Sequence, residues 1–286
     1  MRPNPPARSV LITGCSSGIG YCSAKGLAAR GYQVFASARK AEDVERLKNE
    51  GLNAIQLDLA DSASIKSAVN HVLERCDGRL YGLFNNAAYG QPGAVEELRR
   101  EVIRAQFETN LFGTMELTNL LIPAMRQQGE GRIIQNSSLL GFVALCYRGA
   151  YNASKYALEG LSDTLRLELA GSGVHVSLIE PGPISSRFRA NSFAMYQHAI
   201  DKANSVHRPA YDAIETRLTK QGPAAPFTLP AEAVLAKVIH ALESRQPKTR
   251  YRVTWPSHFF ALMKRLISDR MLDKILLNIS LKEQSK

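Results

Sequence analysis

The run Ser9-Val10-Leu11-Ile12-Thr13-Gly14 is apolar at its centre and ends in glycine, the pattern of a strand buried on both faces. Helical spacing follows over 18–30, where Ile19, Cys22, Leu27 and Ala28 share a face and Gly31 ends the run. The alternation then repeats. Strands are predicted at 32–37, 53–57, 79–84, 131–136 and 174–179, and helices over 41–50, 62–75 and 151–170. A long helical region covers 97–127, with Gly113 and Pro123 inside it as breaking or kinking points. Residues 183–228 are rich in Pro, Ser and Asn and read as irregular. A loop of that length in a compact domain is a lid or a binding segment. Helix 230–243, a short strand near 251–253 and an amphipathic helix over 257–279 complete the chain.

Strands alternating with helices require right-handed crossovers and a parallel sheet covered on both faces. The expected fold is α/β: a single doubly wound Rossmann-type domain over 1–286, with about seven parallel strands. There is no internal repeat and no dividing linker.

The chain has 286 residues, 45% hydrophobic and 22% charged, enough for a large core and unlike a disordered composition. Its net charge of +10 raises nucleic acid as a partner. The distribution argues against it. Residues 248–286 hold nine Lys/Arg against three Asp/Glu, and no zinc-finger or RNP-like pattern accompanies them. Cys15, Cys22, Cys76 and Cys146 form no C-x-x-C pair, which favours a reducing compartment. The six histidines include no H-E-x-x-H, so no metal site is expected. The opening MRPNPPARSV lacks the apolar core of a secretion signal, and no run of 18 apolar residues could span a membrane. These features predict a soluble, cytoplasmic protein.

Three glycines stand where the first strand turns into the first helix, in Thr13-Gly14-Cys15-Ser16-Ser17-Gly18-Ile19-Gly20. Glycine permits a tight turn and close approach to a ligand, and the helix behind it offers free N–H groups to a pyrophosphate. The second predicted strand leads into Ala38-Arg39-Lys40, with no acid to hold a ribose 2′-hydroxyl. A guanidinium there suits a 2′-phosphate, so NADP(H) is the expected cofactor. The competing assignment pairs Arg39 with Glu42. Asp58, after the third strand, could accept from an adenine amine or cap the following helix.

Residues 151–155 read Tyr-Asn-Ala-Ser-Lys. On a helix, Tyr151 and Lys155 lie one turn apart on one face. A nearby ammonium favours the phenolate, which would make the pair a tuned acid and base. An exposed turn carrying two unrelated polar side chains is the plain alternative.

As a set, TGCSSGIG (13–20), NNAA (85–88), Asn110, Ser138 and YNASK resemble the short-chain dehydrogenase/reductase family over roughly residues 8–186. The remainder is similar to the branch holding 17β-hydroxysteroid dehydrogenases, retinol dehydrogenases and bacterial NADP-dependent aldehyde reductases. LIEPGPI (178–184) and MLDKIL (271–276) look most like the last group. The resemblance implies a catalytic set of Asn110, Ser138, Tyr151 and Lys155. Tyr151 would be the acid in carbonyl reduction and the base in alcohol oxidation. Lys155 would lower the Tyr151 pKa and hold the nicotinamide ribose. Ser138 would donate to the substrate oxygen, whereas Ser137 would face the other side of its strand. Asn110 would carry a water in a relay to Lys155. The implied cofactor contacts are Gly14, Ser16, Ser17, Gly18, Ile19, Gly20, Arg39, Asp58, Leu59, Asn85, Ala87, Tyr151, Lys155, Pro181, Gly182, Ile184 and Ser186. Ala88 replaces the family's glycine and Ser186 its frequent threonine. The family's habit of pairing through long helices implies a homo-oligomer.

Phe188, Phe193, Met195 and Tyr196 in the expected lid, with Leu140, Phe142 and Cys146, suggest an apolar slot for a small hydrophobic carbonyl or alcohol. The alternative is that these side chains pack the lid onto the sheet. The last helix gathers residues 259, 262, 263, 266 and 267 on one face flanked by cations. It could lie on an anionic membrane surface, cover the substrate mouth, or pack on the body or a second subunit.

Overall fold

The computed structural model describes residues 8–284. Residues 1–7, which open the stretch read as lacking a secretion signal, lie outside the described residues. Val10 and Ile12 turn their side chains to one face of the sheet and Leu11 to the other, and all three are fully buried. Their strand, β1 (Ser9–Ile12), is therefore central. It is flanked by β2 (Gln33–Ala38) and β4 (Leu80–Asn85); β3 (Asn53–Gln56), β5 (Gly131–Asn136), β6 (Val174–Glu180) and β7 (Arg250–Arg252) complete the sheet. The order is β3-β2-β1-β4-β5-β6-β7, and every pairing is parallel. The direction of winding reverses between β1 and β4, and the crevice outside their carboxyl ends is where such sheets bind ligands.

Each face has its own core. Val10, Ile12 and Phe84 pack on α1 (Gly18–Ala29), α2 (Ala41–Asn49) and α9 (Glu232–Glu243) through Leu27, Leu47 and Val238. Leu11, Leu83 and Ile133 pack on α3 (Ser62–Arg75), α5 (Gly113–Gln128) and α6 (Gly149–Glu168) through Val72, Leu117 and Leu165.

Three expectations are corrected. The long helical region is divided into α4 (Arg100–Phe107), a π turn (Glu108–Phe112) and α5. The break lies before Gly113, where a Cβ would come 1.7 Å from the Leu59 carbonyl. Pro123 does not interrupt α5, because Leu117, Leu121 and Met125 bury that helix against the sheet. The expected irregular segment 183–228 is largely helical, with α7 (Phe188–Ala199) and α8 (Arg208–Thr219). Tyr196, Tyr211, Ile214 and Leu218 give it a small buried core of its own. The expected single helix 257–279 is two, α10 (Trp255–Leu266) and α11 (Asp269–Gln284). Its apolar face divides too: Phe259, Met263 and Ile267 pack inward, while Leu262 and Leu266 are exposed. No helix among the described residues is long and apolar enough to cross a membrane.

Candidate active site

The turn after β1 is fastened to the end of β4. The Thr13 hydroxyl accepts from the backbone N–H groups of Asn86 and Ala87, both at 2.9 Å. The Asn86 amide donates to the Thr13 carbonyl at 2.9 Å and accepts from Asn136 at 3.0 Å. Gly14 and Gly18 have φ of +72° and +57°, which side chains rarely adopt. A Cβ on Gly20 would lie 2.2 Å from the Gly14 carbonyl. Behind this turn α1 begins at Ser17, whose side chain makes no capping bond, and its first turn holds no acid. Its amino end thus keeps free N–H groups and the positive pole of the helix dipole for an anion. These features fit the pyrophosphate of a dinucleotide. Arg46 on α2 secures the turn by donating to the Ser16 carbonyl at 2.7 Å. Ile19 packs into the core below.

At the tip of β2, Arg39 is exposed and forms no ion pair among the described residues. Glu42 pairs with Lys40 instead, at 3.0 Å, so the competing assignment for Arg39 falls away. Asp58 does not cap α3; Asp61 does, accepting from Ala63 N at 2.9 Å. Asp58 Oδ1 accepts from Ala60 N at 2.9 Å, and the buried Leu59 sits beside it. The two asparagines after β4 diverge. Asn86 braces the glycine turn, whereas Asn85 donates to Thr118 on α5 at 2.8 Å. Asn86, not among the implied cofactor contacts, is thus the asparagine that braces the turn. Its signal was the NNAA motif itself, which does not say which asparagine faces the turn.

Ser138 ends the extended run after β5. Its hydroxyl accepts from Leu140 N at 3.0 Å and lies near enough to Tyr151 to act on its phenol. Burial pushes the Tyr151 phenol up to about 12, opposed by Ser138. Lys155 is buried, donates to the Asn136 carbonyl at 2.7 Å and lies 5.8 Å from the Tyr151 ring centroid. Burial pulls its ammonium down to about 8, against the attraction of Glu159. The expectation that Lys155 depresses Tyr151 is therefore not met in the protein alone, where desolvation is the larger effect. Asn110, in the π turn, exchanges hydrogen bonds with the backbone of Tyr89 and donates to Ser154 at 3.2 Å. It thus reaches the neighbour of Lys155. Pro181 accepts from Leu139 N at 2.8 Å, and Gly182 passes so close to Thr254 that a Cβ would lie 2.2 Å from its hydroxyl. Ile184 bridges to Leu229, and Ser186 comes against Gly18. The segment 181–186 thus runs from Ser138 to the glycine turn. Residues 8–197 match the model of the short chain dehydrogenase family.

The chain belongs to that family. It is an oxidoreductase, and this short-chain dehydrogenase is 46% identical over 94% of both chains to an uncharacterized oxidoreductase, YbbO, of Escherichia coli K12. It is 33% identical to an NADPH-dependent 3-dehydrocapnine reductase of Ornithobacterium rhinotracheale, over 94% of this chain and 95% of the relative. It is 34% identical to a 17-beta-hydroxysteroid dehydrogenase type 6 of Bos taurus, over 93% and 87%. Among solved structures, a Streptomyces avermitilis short-chain dehydrogenase superposes with TM-score 0.74 at 27% identity, over 96% and 98%. A Burkholderia phymatum member in complex with NAD gives 0.73 at 25% identity, over 90% and 91%. An actinorhodin polyketide ketoreductase with NADPH gives 0.69 at 28% identity, over 86% and 95%.

In this short-chain dehydrogenase the surroundings of Tyr151 are apolar. Leu140, Phe142 and Val143 join Phe259, Phe260 and Met263 of α10 and Leu272 and Leu276 of α11 in one cluster that includes its ring. The C-terminal helices therefore pack on the body over the tyrosine. Phe188 meets Tyr151 edge-on at 5.3 Å. Phe193 and Tyr196 instead pack within the segment 183–228, and Arg189 donates to its carbonyls at 217 and 220. Cys146 does not join the cluster; it opens on a separate cavity of about 20 Å³ beside Arg217 and Ser280. Sequence reading also missed Tyr147, at φ +58°, whose hydroxyl meets His207 before α8 at 3.3 Å.

Proposed function

We propose that this short-chain dehydrogenase reduces aldehydes and ketones with NADPH. The observation that carries the reading is the placing of Tyr151 in an apolar cluster on α6, with Ser138 acting on its phenol and the buried Lys155 one helical turn away. The nicotinamide, when bound, supplies the hydride. Ser138 and Tyr151 aim their hydroxyls at the carbonyl oxygen, where negative charge develops. Tyr151 keeps its proton at neutral pH and so stands loaded as the general acid. Lys155 holds positive charge beside the phenol and binds the nicotinamide ribose. Asn110 continues the chain toward Lys155 through a water. The glycine turn takes the pyrophosphate, Arg39 the 2′-phosphate and Asp58 the adenine amine. Pro181, Gly182 and Ile184 cover the carboxamide. The free cysteines fit a cytoplasmic setting.

A second reading has the same residues oxidise hydrophobic alcohols of retinoid, steroid or lipid type. The apolar wall and the kinds of relatives favour keeping it, and a substrate panel run in both directions separates the two. The cofactor half is tested at Arg39. One charge-assisted hydrogen bond contributes about 1.5–3 kcal/mol, so Arg39→Ala should lower kcat/KM for NADPH roughly ten- to a hundredfold and leave NADH use unchanged. An unaltered NADPH/NADH preference would remove Arg39 from the role.

A further inference from the structure

The face of α6 that carries Tyr151 and Lys155 extends one more turn, to Glu159. Each of the three meets one residue at the end of β5. Tyr151 comes near Ser138, Lys155 donates to the Asn136 carbonyl, and Glu159 comes against Ser137. Gly141 roofs that last contact: a Cβ there would lie 2.6 Å from Ser137 Oγ and 3.3 Å from Glu159 Oε1.

Glu159 is buried, and its carboxylate is divided in use. Oε2 accepts from Arg250 Nε and Nη2 at 3.2 and 2.9 Å. Oε1 is buried and takes no hydrogen bond. Arg250 also pairs with Asp163 at 2.7 Å and with Glu180 at 3.0 Å, and Arg252 pairs with Glu180 at 3.3 Å. Glu180 immediately precedes the Pro181-Gly182 turn. A buried ion pair adds little stability over well-packed apolar residues, because desolvation offsets the attraction. A carboxylate with an unspent oxygen, one turn from a buried ammonium, has a different use.

We infer that Glu159 is a positioning residue: anchored by Arg250, its carboxylate keeps the buried Lys155 ammonium charged and ties α6 to β7. The inference rests on the role proposed above for Lys155. The charged and titratable groups around Glu159 are Lys155 and Asp163 on α6, Glu180 on β6, and Arg250 and Arg252 on β7; Ser137 and Gly141 close the β5 side. Burial raises the Glu159 carboxyl above its ordinary value, and Arg250 opposes this. Glu180 is pushed up to about 7 by burial and by the charge of Glu159. The charge on Glu159 therefore depends on Arg250, which links the lysine to the outer strand of the sheet.

The test reads the lysine directly. The titration of Lys155 is followed by competitive acylation and mass spectrometry in the wild type, Glu159→Gln and Glu159→Asp. An opposite charge within about 4–6 Å moves a pKa by about 1–3 units; Glu159 attracts Lys155 without an ion pair between them among the described residues, so the Gln variant should titrate lower by about 1 unit and the Asp variant by less. The alkaline limb of kcat/KM for carbonyl reduction should move with it. A lysine that titrates unchanged in either folded variant overturns the inference, whatever the activity. A shifted lysine with an unmoved rate profile supports the inference and removes Lys155 from the chemistry. If Glu159→Gln does not fold, Glu159→Asp carries the same test.

Discussion

Ser137 and Ser138 are neighbours with different surroundings, because successive side chains of an extended chain point to opposite faces. Ser138 meets Tyr151, and Ser137 meets Glu159. The family resemblance implied Ser138 rather than Ser137 as the residue facing Tyr151. The asparagine pair was not legible: which of Asn85 and Asn86 faces the glycine turn depends on how β4 ends. Nor could sequence show the direction in which Tyr151 shifts, since its surroundings come from α10 and α11, over a hundred residues away. A rate prediction follows. Reduction needs Tyr151 protonated and Lys155 charged. Tyr151, pushed up to about 12, keeps its proton throughout the neutral range, while Lys155, pulled down to about 8, sheds its charge as pH rises through that value. The reductive kcat/KM should be level below about pH 8 and fall above it. A rate still rising between about pH 8 and pH 9 would contradict this assignment.

The strand-and-helix alternation up to β6 was legible because buried parallel strands are short apolar runs between amphipathic helices. The segment 183–228 was not, because its Pro, Ser and Asn content masks two helices whose apolar residues bury one another rather than the sheet. Pro209 falls at the start of α8, where its missing N–H costs nothing. α8 is tied to the body at Tyr211, which accepts from Ala94 N at 3.0 Å and donates to Glu97 at 2.5 Å. Ser205 donates to the same carboxylate at 2.6 Å. Tyr211→Phe leaves the buried Ala94 N–H without its acceptor and takes a donor from the half-buried Glu97 carboxylate, a loss of about 1–3 kcal/mol. Denaturant unfolding should register it, and KM for the carbonyl should rise while NADPH affinity is retained. A variant with wild-type stability and KM would show that α8 does not depend on this tie.

At the scale of the molecule, the β1/β4 crevice, the glycine turn and the end of β5 converge on one edge of the sheet. The family resemblance drawn from the motifs extends over that edge, and the chain-wide matches extend it to the C-terminal helices that wall Tyr151. α5 and α6 leave Leu120, Tyr156, Leu161 and Leu167 exposed, which suits a partner copy of this chain. Light scattering after size exclusion should give at least twice the monomer mass; a monomer at micromolar concentration would count against that pairing. The central claim is that Tyr151 delivers the proton to a carbonyl reduced by NADPH. Its most direct test is NADPH oxidation across a panel of aldehydes and ketones, with wild type and Tyr151→Phe compared at equal cofactor occupancy. The account predicts turnover by the wild type and a loss of at least about a hundredfold in the variant, with NADPH binding intact. Turnover that survives the loss of the phenol would contradict it.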